Sequence, residues 1–279
     1  MGFGIMAIFL LNIGNTHTEL GLRASGRACR WKWLGRWQTA ELLAGRAELA
    51  GVLESAPGAP ILAACVAPAA GRRLRASFPR RTLVFLRPEH VRDVDFSRVD
   101  PATLGADRVA NVCGALEVTA PPFLVLDAGT ALTLEAVDED GRFRGGAIAP
   151  GRMLMRRALA AGTALLPEIP IEQGLPAALG RNTAAAIRAG VDLGFLGMAA
   201  RIIQDARAEL DSDCPVLCTG GDARFCLEGL TGRVPGLRAA PPHLALLGLA
   251  AVAGRLFCEN ADPARQIPSQ ADRRVEPER

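Results

Sequence analysis

The segment Asn12-Ile13-Gly14-Asn15-Thr16 returns in the second half of the chain as Asp127-Ala128-Gly129-Thr130, in the same context. Each copy follows a short apolar run, Ala7 to Leu11 in the first half and Phe123 to Leu126 in the second. Each then leads into alternating residues, Thr16-His17-Thr18-Glu19-Leu20 and Thr130-Ala131-Leu132-Thr133-Leu134. The pattern predicts a strand, a tight glycine turn and a second strand, twice over. Either turn alone reads equally well as an ordinary glycine hairpin, but their repetition in matching context points to two similar halves. Glycine in such a turn lets the backbone approach a ligand closely, and the flanking hydroxyl and amide groups can bond phosphate oxygens. A carboxylate ending the first strand can hold a cation or its water shell beside that phosphate. Two such turns suggest halves that close on a nucleotide.

Composition narrows the partners. With 279 residues and 49% hydrophobic content, the chain can build one large core or two modest ones. The 32 basic and 29 acidic residues are interspersed and leave a net charge of +3, too weak a field to argue for nucleic acid. Arg72, Arg73, Arg75, Arg80 and Arg81 form a local cluster that reads as a solvated helix face and the loop after it, since only Phe78 accompanies them. Seven cysteines without C-x-x-C spacing, in a chain with three histidines, predict buried thiols in a reducing compartment and no zinc site. No apolar run reaches membrane-spanning length, and Met1 to Leu11 lacks a basic leader region. These features predict a cytoplasmic protein with no membrane partner.

Along the chain, strands are expected at Ala7 to Asn12, Thr16 to Arg23, Arg30 to Trp37, Ile61 to Val66 and Thr82 to Leu86. Helices are expected from Ala40 to Glu54 and from Ala70 to Phe78. The second half repeats the order. A helix opens at Asp107 and runs to Val118, and the strands ending at Asp127 and running from Thr130 to Val137 and Arg142 to Ala149 form a meander. Met153 to Ala161 and Thr183 to Glu209 read as helices, the latter interrupted near Gly194 or Gly197. A short strand, Val216 to Cys218, and a closing helix, Leu244 to Phe257, follow. This division gives an N-terminal domain over 1–100, a C-terminal domain over 101–261 and a charged, disordered tail over 262–279. The order describes an α/β chain with the duplicated, RNase H-like fold shared by actin, Hsp70 and the acetate and sugar kinases, two domains with an ATP cleft between them.

Three further strings can carry chemistry. Gly105-Ala106-Asp107-Arg108 sets an acid beside a guanidinium at a helix start, where Asp107 is either a cap or a proton acceptor and Arg108 can hold a substrate carboxylate or amide. Gly180-Arg181-Asn182-Thr183 precedes a long helix, so its polar residues either cap it or touch a small molecule. Thr219-Gly220-Gly221-Asp222 follows a strand, and its glycine pair could let an adenine lie flat against the backbone.

Taken together with the two turns and Gly145-Gly146-Ala147-Ile148-Ala149-Pro150-Gly151, these strings stand in the order found in the type III pantothenate kinases, which the chain resembles up to about Phe257. The resemblance implies transfer of the ATP γ-phosphoryl group to the terminal hydroxyl of pantothenate, the first step of coenzyme A synthesis. It implies Asp107 as general base, with Gly105, Ala106, Asp107, Arg108 and Thr183 binding pantothenate. It also implies that Asn12, Ile13, Gly14, Asn15, Thr16, His17, Thr18, Glu19 and Thr130 line the ATP, and that Asp127 holds a monovalent cation, K⁺ or NH₄⁺. Mg²⁺ and a homodimer with substrate sites near the subunit interface are implied as well. The chain departs from the family at Asn12, where the first turn normally begins with Asp, and it has no Tyr. Asn12 keeps the shape and an acceptor oxygen without the charge, which leaves a catalytically weak, nucleotide-binding regulatory protein as the alternative function.

Overall fold

The computed structural model describes residues 7–24, 30–44 and 47–259. The first half forms β1 (Ala7–Ile13), β2 (His17–Ala24), β3 (Trp31–Gln38), α1 (Thr39–Leu43), α2 (Ala47–Glu54), β4 (Ile61–Cys65), α3 (Pro68–Ser77) and β5 (Leu83–Phe85). After α4 (Ala106–Leu116), the second half forms β6 (Phe123–Ala128), β7 (Ala131–Val137), β8 (Phe143–Pro150), α5 (Arg152–Gly162), α6 (Thr183–Leu210), β9 (Val216–Thr219), α7 (Ala223–Leu230), β10 (Leu237–Ala239) and α8 (Leu244–Gly254).

The two sheets have one topology. The first runs β3-β2-β1-β4-β5 and the second, read from the equivalent edge, β8-β7-β6-β9-β10. In both, the first three strands are antiparallel and the last two join in parallel. The repeated turn is therefore the visible trace of a repeated half, as the sequence predicts.

Alternation along the strands sorts the side chains into layers. On β1, Phe9, Leu11 and Ile13 enter an outer core with Leu49, Leu53, Ala70 and Leu74 of α2 and α3. On β6, Leu124, Leu126 and Ala128 enter another with Phe195, Ala199 and Ile203 of α6 and Phe225 of α7. The opposite residues of both strands, Ile8 and Leu10, Phe123 and Val125, share a third core with α4 and α8, which lie between the sheets. Close packing of those two helices depends on glycine. A Cβ on Gly114 would stand 2.2 Å from the Leu244 carbonyl oxygen, and one on Gly248 would stand 1.9 Å from that of Ala110. Thus α8, late in the chain, packs on β1 and β4 of the first sheet.

The structure corrects several element boundaries. The helix expected over Ala40 to Glu54 is two helices, α1 and α2. No break occurs in α6, which runs unbroken for 28 residues. Its buried stripe of Phe195, Leu196, Ala199 and Ile203 against the second sheet offsets the roughly 1 kcal/mol helix penalty of each glycine. The short elements α7 and β10 were not anticipated, since neither is long enough to show a period. Arg72, Arg73 and Arg75 do lie on the exposed face of α3. Arg81 instead donates to the Leu53, Ala56 and Pro57 carbonyls and stacks on Phe78, which makes it a packing residue. The tail over 262–279 lies outside the described residues.

Candidate active site

Asn12 continues the inward series of Ile8 and Leu10 on β1, and Asp127 continues that of Phe123 and Val125 on β6. The two repeated turns therefore end their strands on facing sides of the gap between the sheets. They meet directly, because the Thr16 and Thr130 hydroxyls lie 2.9 Å apart. Each turn is closed by its own glycine, Gly14 N–H donating to His17 O and Gly129 N–H to Ala131 O, both at 2.9 Å. His17 is held by Arg36 and Gln38 of β3, and partial burial with the nearby Arg36 charge lowers its pKa.

Below the turns, α4 supplies two polar side chains one helical turn apart. Asp107 sits in its first turn and accepts a bond from the Arg108 backbone N–H at 2.8 Å. Burial raises its pKa above the usual carboxylate range, against the pull of Arg108. Asn111 donates from Nδ2 to Asp127 Oδ2 at 2.9 Å, tying the helix to the second turn. Asp127 itself is pushed up to about 6, chiefly by burial, with Asp107 and Glu19 adding negative charge nearby. On the other side of the gap, His243 Nδ1 lies 3.1 Å from Glu19 Oε1 and its ring stacks on Trp33.

Arg108 turns away from Asp107. Its Nε donates to Glu135 Oε1 at 2.9 Å, its Nη2 to Leu134 O at 3.1 Å, and the guanidinium lies over the Phe143 ring. Nη1 takes no partner among the described residues. Glu135 is fully buried and its pKa rises to about 8 through loss of solvation, with Arg108 opposing. Gly146 makes room for this pair, since a Cβ there would stand 2.6 Å from Arg108 Nη2.

The glycine pair after β9 closes the cleft from the other side. Gly220 has φ +93°, and a Cβ there would lie 2.4 Å from both Ala128 O and Asp127 Oδ1. Asp222 is fixed by its N–H to Ala128 O and by Arg152, which also binds Asp192 and stacks 3.7 Å above Phe225. Arg152 and Arg156 lie one turn apart on α5 and clamp the same buried Asp192 of α6. That network locks α5, α6 and the glycine loop together. Gly151, whose Cβ would stand 2.2 Å from Gly129 O, lets the end of β8 pass against the second turn.

Thr183 is exposed at the start of α6, where Asn182 Oδ1 accepts the Ala185 N–H at 2.8 Å as the cap. No hydrogen bond or ion pair of the described residues joins it to Gly105–Arg108. Sequence reasoning missed Asn111, Glu135 and His243. The four-residue spacing from Asp107 marks Asn111, and strand alternation puts Glu135 on the face opposite Leu134, whereas nothing local marks His243. Among the described residues, no group of three or more His, Cys, Asp or Glu side chains forms a metal-binding cluster, and no helix is long and apolar enough to cross a membrane.

A duplicated pair of sheets closing on a polar cleft is the architecture of the actin-like sugar kinases. A glucokinase from Balamuthia mandrillaris, solved with glucose, aligns over 90% of this chain and 94% of its own with a TM-score of 0.54, at 13% identity. Sequence carries the assignment further: a profile of the type III pantothenate kinases matches residues 8–205, and the chain belongs to that family. A type III pantothenate kinase of Rubrobacter xylanophilus is 31% identical over 92% of this chain and 100% of its own length. One from Thermomicrobium roseum is 37% identical over 53% of this chain and 56% of its own.

Proposed function

We propose that the protein phosphorylates pantothenate, transferring the ATP γ-phosphoryl group to its terminal hydroxyl with Asp107 as the proton acceptor. One observation carries the reading of the site: the two glycine turns touch through Thr16 and Thr130, and α4, whose first turn holds Asp107, is tied to the second of them by the Asn111–Asp127 bond. Phosphoryl transfer needs in-line placement and neutralised oxygens more than covalent help, which suits turns rich in backbone N–H groups. Burial raises the proton affinity of Asp107 in the direction a general base requires. Arg108, fixed in plane by Glu135 and Leu134, keeps Nη1 for the polar end of pantothenate, beside Gly105 and Ala106.

The buried oxygens fit the cations that such a reaction uses. Asn12 Oδ1 is buried without a hydrogen-bond partner, and Asp127 offers a desolvated carboxylate. Oxygen donors of this kind suit hard cations, K⁺ or NH₄⁺ at Asp127 and Mg²⁺ of the nucleotide beside Asn12. When bound, those ions neutralise the phosphate oxygens as charge develops on them. The Gly220-Gly221 backbone is the surface for the adenine. Exposure of Thr183 agrees with a homodimer in which a second copy completes the pantothenate site.

The test is ADP release by the purified protein with ATP, Mg²⁺ and K⁺, with and without pantothenate. Pantothenate-dependent release with 4′-phosphopantothenate identified by mass is expected. ATP binding without release would replace this reading with the regulatory one that Asn12 favours.

A further inference from the structure

The two halves of the cleft differ in where the carboxylate stands. In the second half it ends β6 as Asp127, and the residue across from it on β7 is Thr133. In the first half β1 ends in the neutral Asn12, and the residue across from it on β2 is Glu19. The shared topology makes these pairs equivalent, so the acid has moved over by one strand. Strand alternation keeps it on the same face. Leu20 enters the outer core, which leaves Glu19 on the inner side with Asn12. Directly opposed side chains on antiparallel strands have Cβ atoms about 5 Å apart.

A carboxylate bordering a triphosphate is repelled by it unless a cation lies between them. Next to Glu19, the buried Asn12 Oδ1 has no hydrogen-bond partner, an acceptor left open on the same face. Glu19 is also held in place. His243 engages Oε1 at 3.1 Å, and the imidazole is braced by Trp33 with ring centroids 5.1 Å apart. His243 adopts φ 58° to cap α8, a conformation that few non-glycine residues take.

We propose that Glu19 supplies the carboxylate of the first half-site, holding the nucleotide's Mg²⁺ or one of its coordinated waters together with Asn12 Oδ1, with His243 as its positioning residue. This rests on the reading of the cleft as a nucleotide site and identifies the acid that serves the metal in this chain.

Mn²⁺ is the probe, titrated by electron paramagnetic resonance into the full-length protein with ADP bound. Glu19→Gln is expected to weaken Mn²⁺ binding about tenfold or more. Asn12→Asp added to that variant should return the affinity to within about threefold of wild type, because the acid regains its place on β1. Glu19→Asp, which keeps the charge, should lose far less than Glu19→Gln and provides the comparison if the glutamine variant fails to fold. In EDTA a fluorescent ADP analogue should bind Glu19→Gln at least as tightly as wild type, because the variant removes a charge that repels the phosphates when no cation lies between them. Unchanged Mn²⁺ affinity in Glu19→Gln, an equal loss in Glu19→Asp, or a matching loss of ADP binding in EDTA would each overturn the proposal. A wild-type protein that leaves pantothenate unphosphorylated while its Mn²⁺ affinity still depends on Glu19 would remove the substrate reading alone.

Discussion

The two repeated turns share a backbone and differ in chemistry. At the second turn a half-buried acid, Asp127, is bonded by Asn111 of α4 and closely approached by Gly220, and desolvation makes its charge costly. At the first, Asn12 is neutral with an unpartnered Oδ1, while its acidic neighbour Glu19 is held by one histidine. The position equivalent to Gly220, next along β4 from the partner of Asn12, is Cys65. The difference teaches that a duplicated fold conserves where the strands end without conserving which residue bears the charge. One half carries its acid on the strand before the turn, and the other carries it one strand over.

If chemistry belongs to the helix between the turns, Asp107→Asn should lower kcat by about 10²- to 10⁴-fold while ATP affinity stays within about twofold. Retained turnover would return the base to one of the turns. Burial stress at the second turn should show in stability. Asp127 titrates at about 6 in the folded protein against 3.8 for the unperturbed group, so the folded state holds the proton more tightly than the unfolded chain does. The Asp127 contribution to ligand-free stability is then expected to fall as pH rises from about 4 to about 6, by on the order of 3 kcal/mol, while Glu135 carries the decline on towards about pH 8. Asp127→Asn should flatten that slope in urea titrations across the window and weaken activation by K⁺. An unchanged slope would mean that this turn is no more stressed than the first.

Gly220→Ala forces a methyl into Ala128 O and Asp127 Oδ1 at a positive φ, and should destabilise the fold by about 1–3 kcal/mol with loss of ATP affinity. Cys65→Ala, at the equivalent place, should stay within about 1 kcal/mol in the same melts, and an equal loss would erase the asymmetry. The smallest effect is expected where the turns touch. Thr16→Val and Thr130→Val each remove one partner of an exposed hydroxyl pair, so stability should change by less than about 1 kcal/mol while KM for ATP rises in both. A rise in only one would show that a single turn carries the phosphates.

Much of this was legible from the chain alone. The glycine turns, the strand alternation around them and Asp107 at a helix start are local patterns, and local patterns survive without knowledge of the partner. Boundaries failed where tertiary packing overrode propensity, as in α6, whose glycines predicted a break that the buried stripe from Phe195 to Ile203 prevents. Arg108 is the instructive case in the site. Its position beside Asp107 was clear, but its attachment to Glu135 required knowing that β7 and β8 run under α4 and that Gly146 clears the way.

Sequence by itself therefore determined the duplication, the two strand-ending turns and the membership of the family, because each depends on residue order over short stretches. Tertiary structure alone decided that Thr16 meets Thr130, that Asn111 bonds Asp127 and that His243 reaches back to Glu19. The physical reason is directional. A side chain's partner is set by strand register and by the sheet or helix packed against it, and those belong to the folded whole.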